Sequence, residues 1–195
     1  QDQVLGCYYL TKSRAGDFGE GKIFSSPAEV INAHNEDKVS LHARIKVRIE
    51  GKLVETTTGR VIFNEIIPKD IGFVNELLNK KRLVQIIATA FRKCGNLRTA
   101  RFLDELKTLG FAYATKGGLS VSVADVAIPK EKEEMIGKSL KDVDAVEKQY
   151  QNGFITNGER YNKVIDIWTR TTSRVAEKLF DSLQHSREGF NSLYM

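Results

Sequence analysis

Two runs with heptad-like spacing, separated by a short turn, constrain the fold of this chain more than any other feature. In the first run, one helical face carries Ile136, Leu140, Val143, Glu147 and Tyr150, which recur four and three residues apart. The second run repeats this spacing at Tyr161, Ile165, Trp168, Thr172, Val175 and Leu179. Because such spacing places one seam on each helix, it predicts two antiparallel helices packed through these seams.

The segment between the two runs contains signals for a chain reversal and for the start of a new helix. Gly153 and Gly158 lie where we expect the chain to turn. Thr156 and Glu159 fit the T-x-x-E capping box, in which each residue satisfies a free backbone N–H of the first helical turn. The pattern after Pro129 is purely helical, so residues 129–195 are predicted to form a helical hairpin.

Strand and helix signals alternate in residues 1–128. Residues 41–49 alternate apolar and polar side chains, which is typical of a half-buried strand, and a turn at Gly51 and Lys52 leads into a second strand at 53–58. Ser26 followed by Pro27 predicts the start of a short helix.

Further along, residues 83–94 and 99–110 fit two amphipathic helices ended by Gly95 and Gly110, and 119–123 alternates like another strand. The predicted fold class is therefore α+β, with a mixed helix and short-strand body at 1–128 followed by a long antiparallel helical hairpin at 129–195.

Composition excludes several classes of protein. The chain has 195 residues with 41% hydrophobic content, enough for a packed core, and no run approaches the roughly 20 apolar residues of a membrane span. Cys7 and Cys94 lack metal-ligand spacing, so we expect two small buried thiols in a reducing compartment. The net charge of +5 lies entirely within residues 1–129, a mild bias that also fits an ordinary solvated surface.

The sequence shows no set of residues with the spacing that metal-dependent catalysis requires. Asp142 and Asp144 diverge by roughly 200° around a helix and cannot share an ion. Asp125 stands alone, and the three histidines have no common spacing. We therefore predict no catalytic residue and no metal ligand set in this chain.

Six ordered segments closely resemble the largest subunit of bacterial RNA polymerase, the beta-prime family. They are QDQVLGCYYLT at 1–11, SLHARIKVRI at 40–49, TTTGRVIFNEIIP at 56–68, GFAYATKGGLSVSVADVAIP at 110–129, GFITNGERYNKVIDIWT at 153–169 and FNSLYM at 190–195. The resemblance covers essentially the whole chain. It implies an internal part of a much larger subunit, whose catalytic aspartates lie upstream of residue 1.

The resemblance also implies a function. The parent enzyme is a nucleotidyltransferase that performs DNA-templated RNA synthesis. Residues 1–128 would form part of the pore of its secondary channel, through which nucleotides enter, and residues 129–195 would form the rim helices of the funnel. The chain alone is expected to be inactive and to need no cofactor, with Mg²⁺ and Zn²⁺ bound elsewhere in the full subunit.

Partners and sites follow from the same resemblance. The expected partners are the beta, alpha, omega and sigma subunits, and factors that insert a coiled coil into the channel. DNA, RNA and nucleoside triphosphates would be contacted only through the whole enzyme, which is cytoplasmic and not bound to a membrane. The positions matching the docking platform are Glu159, Asn162, Lys163 and Asp166, while Gln1 and Asp2 are candidate channel-facing residues.

Two alternatives remain open from the residues alone. A free-standing regulator could insert its own coiled-coil hairpin into a polymerase channel, although acidic residues would then be expected at a tip that here also carries Arg160 and Lys163. A basic α+β nucleic-acid-binding module would bind DNA or RNA with steep salt dependence.

Overall fold

The computed structural model describes residues 1–126 and 128–194, which divide into two compact units at 1–119 and 120–194. The first unit combines helices with a three-stranded sheet, and the second contains two long helices that pack against each other. This confirms the α+β class with a helical hairpin. The predicted domain boundary at 128/129 stays a prediction, and Ala127 and Met195, which fall in the ranges 1–128 and 129–195, lie outside the described residues.

The helices and strands follow one another in a simple order. The first unit contains α1 (Asp2–Thr11), β1 (Ile23–Phe24), α2 (Pro27–Asn35), β2 (Arg44–Ile49), β3 (Lys52–Thr57), α3 (Thr58–Asn64) and α4 (Lys80–Gly117). The second contains α5 (Lys132–Gln151) and α6 (Asn157–His185). No helix within the described ranges is both long enough and apolar enough to cross a lipid bilayer.

The sheet has the strand order β1-β2-β3, with β1 parallel to β2 and β3 antiparallel to it. Glu50 and Gly51 form the two-residue turn between β2 and β3. The predicted hairpin therefore forms, but its turn lies one residue earlier than the predicted Gly51 and Lys52, and β3 spans Lys52–Thr57 rather than 53–58. Ile45 and Val47 are fully buried on one face, and Arg44, Lys46 and Arg48 are exposed on the other. The alternation in the sequence therefore separates a core face from a basic solvent face.

Helices α1 and α4 pack so closely that their backbones touch. A Cβ atom added to Gly6 of α1 would overlap the carbonyl oxygen of Gly110, and one added to Gly110 would come within 2.8 Å of the Gln3 carbonyl oxygen. The prediction that Gly110 ends a helix is wrong, because α4 continues to Gly117. Gly110 is required for this close approach, and glycine at a contact point resembles glycine at a helix end in sequence.

The predicted helix break at Gly95 is confirmed. Its backbone has φ 74° and ψ 177°, a non-helical conformation, and it separates two helical segments of α4. L-residues with a side chain rarely adopt such dihedral angles.

The strand predicted at 119–123 is wrong. The described residues form one sheet of three strands, and this segment is not part of it. Val121 and Val123 are 63% and 90% exposed, and a short 3₁₀ turn at Val123–Asp125 follows. An alternating pattern needs a partner strand, and here the Asp125 carboxylate accepts a hydrogen bond from the Ser122 backbone N–H at 2.9 Å instead.

The two cysteines differ in environment. Cys7 lies in the core, and burial raises the pKa of its thiol to about 12, so the thiol stays protonated. Cys94 is only half-buried, which corrects the expectation that both are buried. Neither forms a disulfide.

The hairpin forms, but its seam is rotated relative to the predicted one. Ser139, Val146 and Thr171 are buried between α5 and α6, and the hydroxyls of Ser139 and Thr171 lie 2.6 Å apart in a hydrogen bond. Five residues of the predicted seam are exposed: Leu140, Tyr150, Tyr161, Ile165 and Thr172. The other six are half-buried: Ile136, Val143, Glu147, Trp168, Val175 and Leu179. Small polar side chains occupy the closest approach, and the spacing of the larger apolar residues did not reveal them.

Candidate interaction site at the hairpin tip

The turn between α5 and α6 is closed by backbone hydrogen bonds. Gly153 adopts φ 75°, its N–H donates to the Tyr150 carbonyl at 2.9 Å, and the N–H of Phe154 donates to the Gln149 carbonyl at 3.0 Å. This pair of bonds is a Schellman motif, which requires a left-handed residue after the helix. The prediction that the chain reverses at Gly153 is confirmed.

Helix α6 begins with the capping box that the sequence predicts. The Thr156 hydroxyl accepts from the Glu159 backbone N–H at 3.3 Å, and the Glu159 carboxylate accepts from the Thr156 backbone N–H at 2.7 Å. The backbone N–H and the hydroxyl of Thr156 both donate to the Glu159 carboxylate, and these two bonds, together with the charge of Lys163, lower the pKa of Glu159. Gly158 lies inside the first turn of α6 and does not take part in the reversal.

An ion pair joins the two helices next to the tip. The Arg160 guanidinium lies 3.2 Å from the Glu147 carboxylate, also donates to the Asn157 side chain at 2.9 Å, and stands 5.2 Å from the centre of the Tyr150 ring. From the sequence, Arg160 was noted only as a basic residue at the tip. The missed signal was Glu147, a carboxylate within the predicted seam that faces the opposite helix.

The four predicted docking residues lie together on one exposed face of α6. Glu159, Asn162, Lys163 and Asp166 are spaced by three, one and three residues, which places them on one side of the helix. Their local roles differ. Lys163 Nζ donates to the Gln149 side chain at 3.2 Å and Asp166 forms an ion pair with Arg170, whereas Glu159 caps the helix.

Asn162 stands apart from the other three. Its amide forms no side-chain hydrogen bond with any residue in the described part of the chain, and the residue is exposed. Its two donors and its acceptor are therefore available to another molecule.

Exposed apolar side chains lie at the turn and on other sides of α6. Phe154 is 78% exposed at the turn, while Tyr161 and Ile165 are 62% and 49% exposed on α6. Because the sequence pattern assigned Tyr161 and Ile165 to the seam between the helices, their exposure was not predicted. The tip thus presents one polar face of α6 and exposed apolar side chains at the turn and on other sides of the helix.

Gln1 and Asp2 belong to the other compact unit, so the structure does not bring them together with the four tip residues in one unit. Both are exposed at the start of α1. Asp2 borders an open cavity of about 280 Å³, together with Leu5, Phe111, Ala114, Thr115 and Leu119. The expectation that they face a channel stays a prediction.

The remaining candidate groups do not form a metal site. Among the described residues, no three His, Cys, Asp or Glu side chains converge so that they could hold an ion. His34 and His42 each have a ring nitrogen 3.0 Å from a backbone carbonyl oxygen, and His185 is exposed.

A comparison with protein families and curated proteins gives consistent matches. Residues 1–126 match the family model described as RNA polymerase Rpb1, domain 3. All of the chain aligns with the protein named DNA-directed RNA polymerase subunit beta' of Parabacteroides distasonis at 47% identity. Subunits of the same name align over all of the chain at 45% identity in Sulfurihydrogenibium sp. and 41% in Chlorobaculum tepidum.

The chain spans only a small part of these relatives: 14%, 13% and 15% of their respective lengths. The family model covers all of residues 1–119 in the first compact unit and more than half of the chain. The alignments to the relatives extend over the hairpin as well. The chain therefore belongs to the family of the bacterial DNA-directed RNA polymerase subunit beta-prime.

Proposed function

We propose that this chain acts as one region of the largest subunit of a bacterial RNA polymerase, in the cytoplasm, together with beta, alpha, omega and sigma subunits. The enzyme joins the 3′-hydroxyl of an RNA to a nucleoside triphosphate and releases pyrophosphate. The catalytic carboxylates with Mg²⁺, and Zn²⁺, would be held by parts of the subunit outside this chain. The chain alone is expected to show no nucleotidyl transfer.

Within that enzyme, the mixed unit would contribute to the wall of the secondary channel, and the hairpin would form part of the channel rim. The resemblance over residues 1–126 and 153–169 supports this assignment. The close glycine contact between α1 and α4 also supports it, because a rigid wall is what a channel of fixed width requires.

The hairpin tip would dock factors that insert a coiled coil into the channel. The observation that carries this proposal is the exposed amide of Asn162, which has no partner within the described residues and stands between Glu159 and Asp166 on one face. The Schellman turn, the capping box and the Arg160–Glu147 pair fix the backbone beneath it. A preorganised polar face loses little entropy when a partner binds.

The experiment measures the affinity of a channel-entering coiled-coil factor for assembled polymerase that carries Asn162→Ala. We expect about tenfold weaker binding, because one or two hydrogen bonds to the partner are lost. The matched control is Gln184→Ala, an exposed amide on the same helix, 22 residues or about 33 Å along its axis.

Two outcomes would contradict docking at the tip. If Asn162→Ala left the affinity unchanged, the Asn162 amide would not contribute to binding the factor. An equal loss with Gln184→Ala would show that the effect does not belong to the tip. Thermal melting of each variant chain should stay nearly unchanged, because both side chains are exposed.

A further inference from the structure

We propose that a polar pocket of the first unit, between the sheet and α3, binds a phosphate group. The pocket has a volume of about 300 Å³ and is lined by Ser13, Arg44, Glu55, Thr56, Thr57 and Arg60. It lies in the unit that carries the net positive charge of the chain. The inference rests on this pocket alone and does not depend on the proposed function.

Arg60 is held in place by neutral acceptors. Its Nε donates to the Thr11 carbonyl oxygen at 3.1 Å, and one terminal nitrogen donates to the Asn75 side-chain oxygen at 3.1 Å. The Asn75 oxygen is itself fixed, because it also accepts from the Thr56 hydroxyl at 2.8 Å. The guanidinium is thus held by neutral acceptors and forms no ion pair with a described carboxylate, and its other terminal nitrogen makes no hydrogen bond to a described residue.

Arg44 brings a second cation to the same pocket. It pairs with Thr57 in the β2–β3 register, so its side chain shares a face of the sheet with that threonine. Neither Arg44 nor Arg60 forms an ion pair with a carboxylate in the described ranges. Burial lowers the pKa of Arg60, the charge of Arg44 lowers it further, and Glu76 partly opposes both.

Two nearby cations and hydroxyl donors favour a phosphate over a single carboxylate. The Thr57 hydroxyl accepts from the Arg60 backbone N–H at 3.3 Å, which leaves its own proton available to donate. A phosphate dianion offers enough oxygens to satisfy two guanidinium forks and a hydroxyl, and its charge matches that of two arginines. Glu55 also lines the pocket and lies opposite Lys46 in the strand register.

The test titrates the 195-residue chain with inorganic phosphate, pyrophosphate, tripolyphosphate and ATP, and follows backbone amide signals by NMR. We expect saturable shifts at Thr57 and Arg60. Arg44→Gln should weaken phosphate binding by about tenfold, because a charge-assisted hydrogen-bond pair is removed. The matched control is Arg48→Gln, with the same charge change on the same exposed face about 13 Å along the strand, and we expect less than about a twofold loss.

Absence of saturable shifts with all four probes would overturn the proposal. Equal losses in Arg44→Gln and Arg48→Gln would also overturn it, since the binding would then belong to the whole basic face. Equal affinities for tripolyphosphate and ATP would identify the phosphate chain as the recognised group. Tighter binding of ATP would show that the pocket recognises a nucleotide through its phosphates.

Discussion

His42 links the stability of the first unit to pH through a single buried ring. The residue is 6% exposed, its Nδ1 lies 3.0 Å from the Lys12 carbonyl oxygen, and its ring packs edge-on against Tyr9 with centroids 4.7 Å apart. Burial lowers the pKa of His42, and the charges of Arg14 and Lys12 act in the same direction. The Lys12 carbonyl and Asp17 oppose this change.

We therefore expect the free energy of unfolding of this unit to fall as the pH drops below about 6.5, where the unfolded histidine gains a proton and the folded one does not. The slope for this one group is at most about 1.4 kcal/mol per pH unit, and it ends at the lower folded pKa. Urea titrations between pH 7 and 5, followed by amide signals of β2, would measure it. His42→Gln should flatten the slope, and an unchanged slope would assign the pH dependence to other groups.

The crossing of α1 and α4 tolerates no side chain at its contact point. Gly6→Ala should destabilise the first unit by about 1–3 kcal/mol or more, because the new methyl group would overlap the Gly110 backbone, which cannot rotate away. Urea unfolding followed by hydrogen exchange of α4 amides would measure the loss.

The control substitution is expected to change the free energy of unfolding in the opposite direction. Gly137 lies inside α5, and a Cβ atom there would meet nothing within 4 Å. Gly137→Ala should stabilise the second unit by up to about 1 kcal/mol, because alanine favours a helix over glycine. If Gly6→Ala stabilised the first unit in the same way, the close contact between the backbones of α1 and α4 at Gly6 would be contradicted.

The rotated seam of the hairpin leads to a second comparison. Val146 is 8% exposed and Ile165 is 49% exposed. Val146→Ala should cost about 1–2 kcal/mol of unfolding free energy, whereas Ile165→Ala should stay within about 0.5 kcal/mol. Fluorescence of Trp168, the one tryptophan of the chain, reports on this unit during urea unfolding. Equal losses, or a larger loss at Ile165, would support the seam predicted from the sequence.

Local signals in the sequence were reliable where one backbone hydrogen bond or one turn determined the structure. The capping box of Thr156 and Glu159 and the break at Gly95 formed as predicted, and the β2–β3 hairpin formed with its turn one residue earlier than predicted. Signals that depend on a distant partner failed. The role of Gly110 is set by α1, about a hundred residues earlier in the chain, and α1 itself was not predicted.

The same distinction applies to the candidate sites. The shared face of Glu159, Asn162, Lys163 and Asp166 follows from helical spacing alone, so their placement on one side of α6 could be predicted. The rotation of α6 against α5 could not, because it is set by the small pair Ser139 and Thr171 rather than by large apolar residues. The pocket at Arg44 and Arg60 is formed by residues of a strand and a helix, so no local pattern in the sequence predicted it.

Across the chain, several large apolar side chains are exposed. The chain spans 13–15% of the length of three of its relatives, and Leu97, Val123 and Ile128 are 71%, 90% and 70% exposed. Single exposed apolar residues are ordinary on a protein surface, and these three are each at least 70% exposed. We propose that other parts of the polymerase cover them.

A site-specific crosslink tests the docking proposal. A photoreactive amino acid would replace Asn162 in one assembled polymerase and Gln184 in another, and each enzyme would be irradiated with a bound coiled-coil factor. We expect a crosslink to the factor from position 162 and none from position 184. A crosslink from 184 alone, or none from 162 while the factor remains bound, would contradict docking at the hairpin tip.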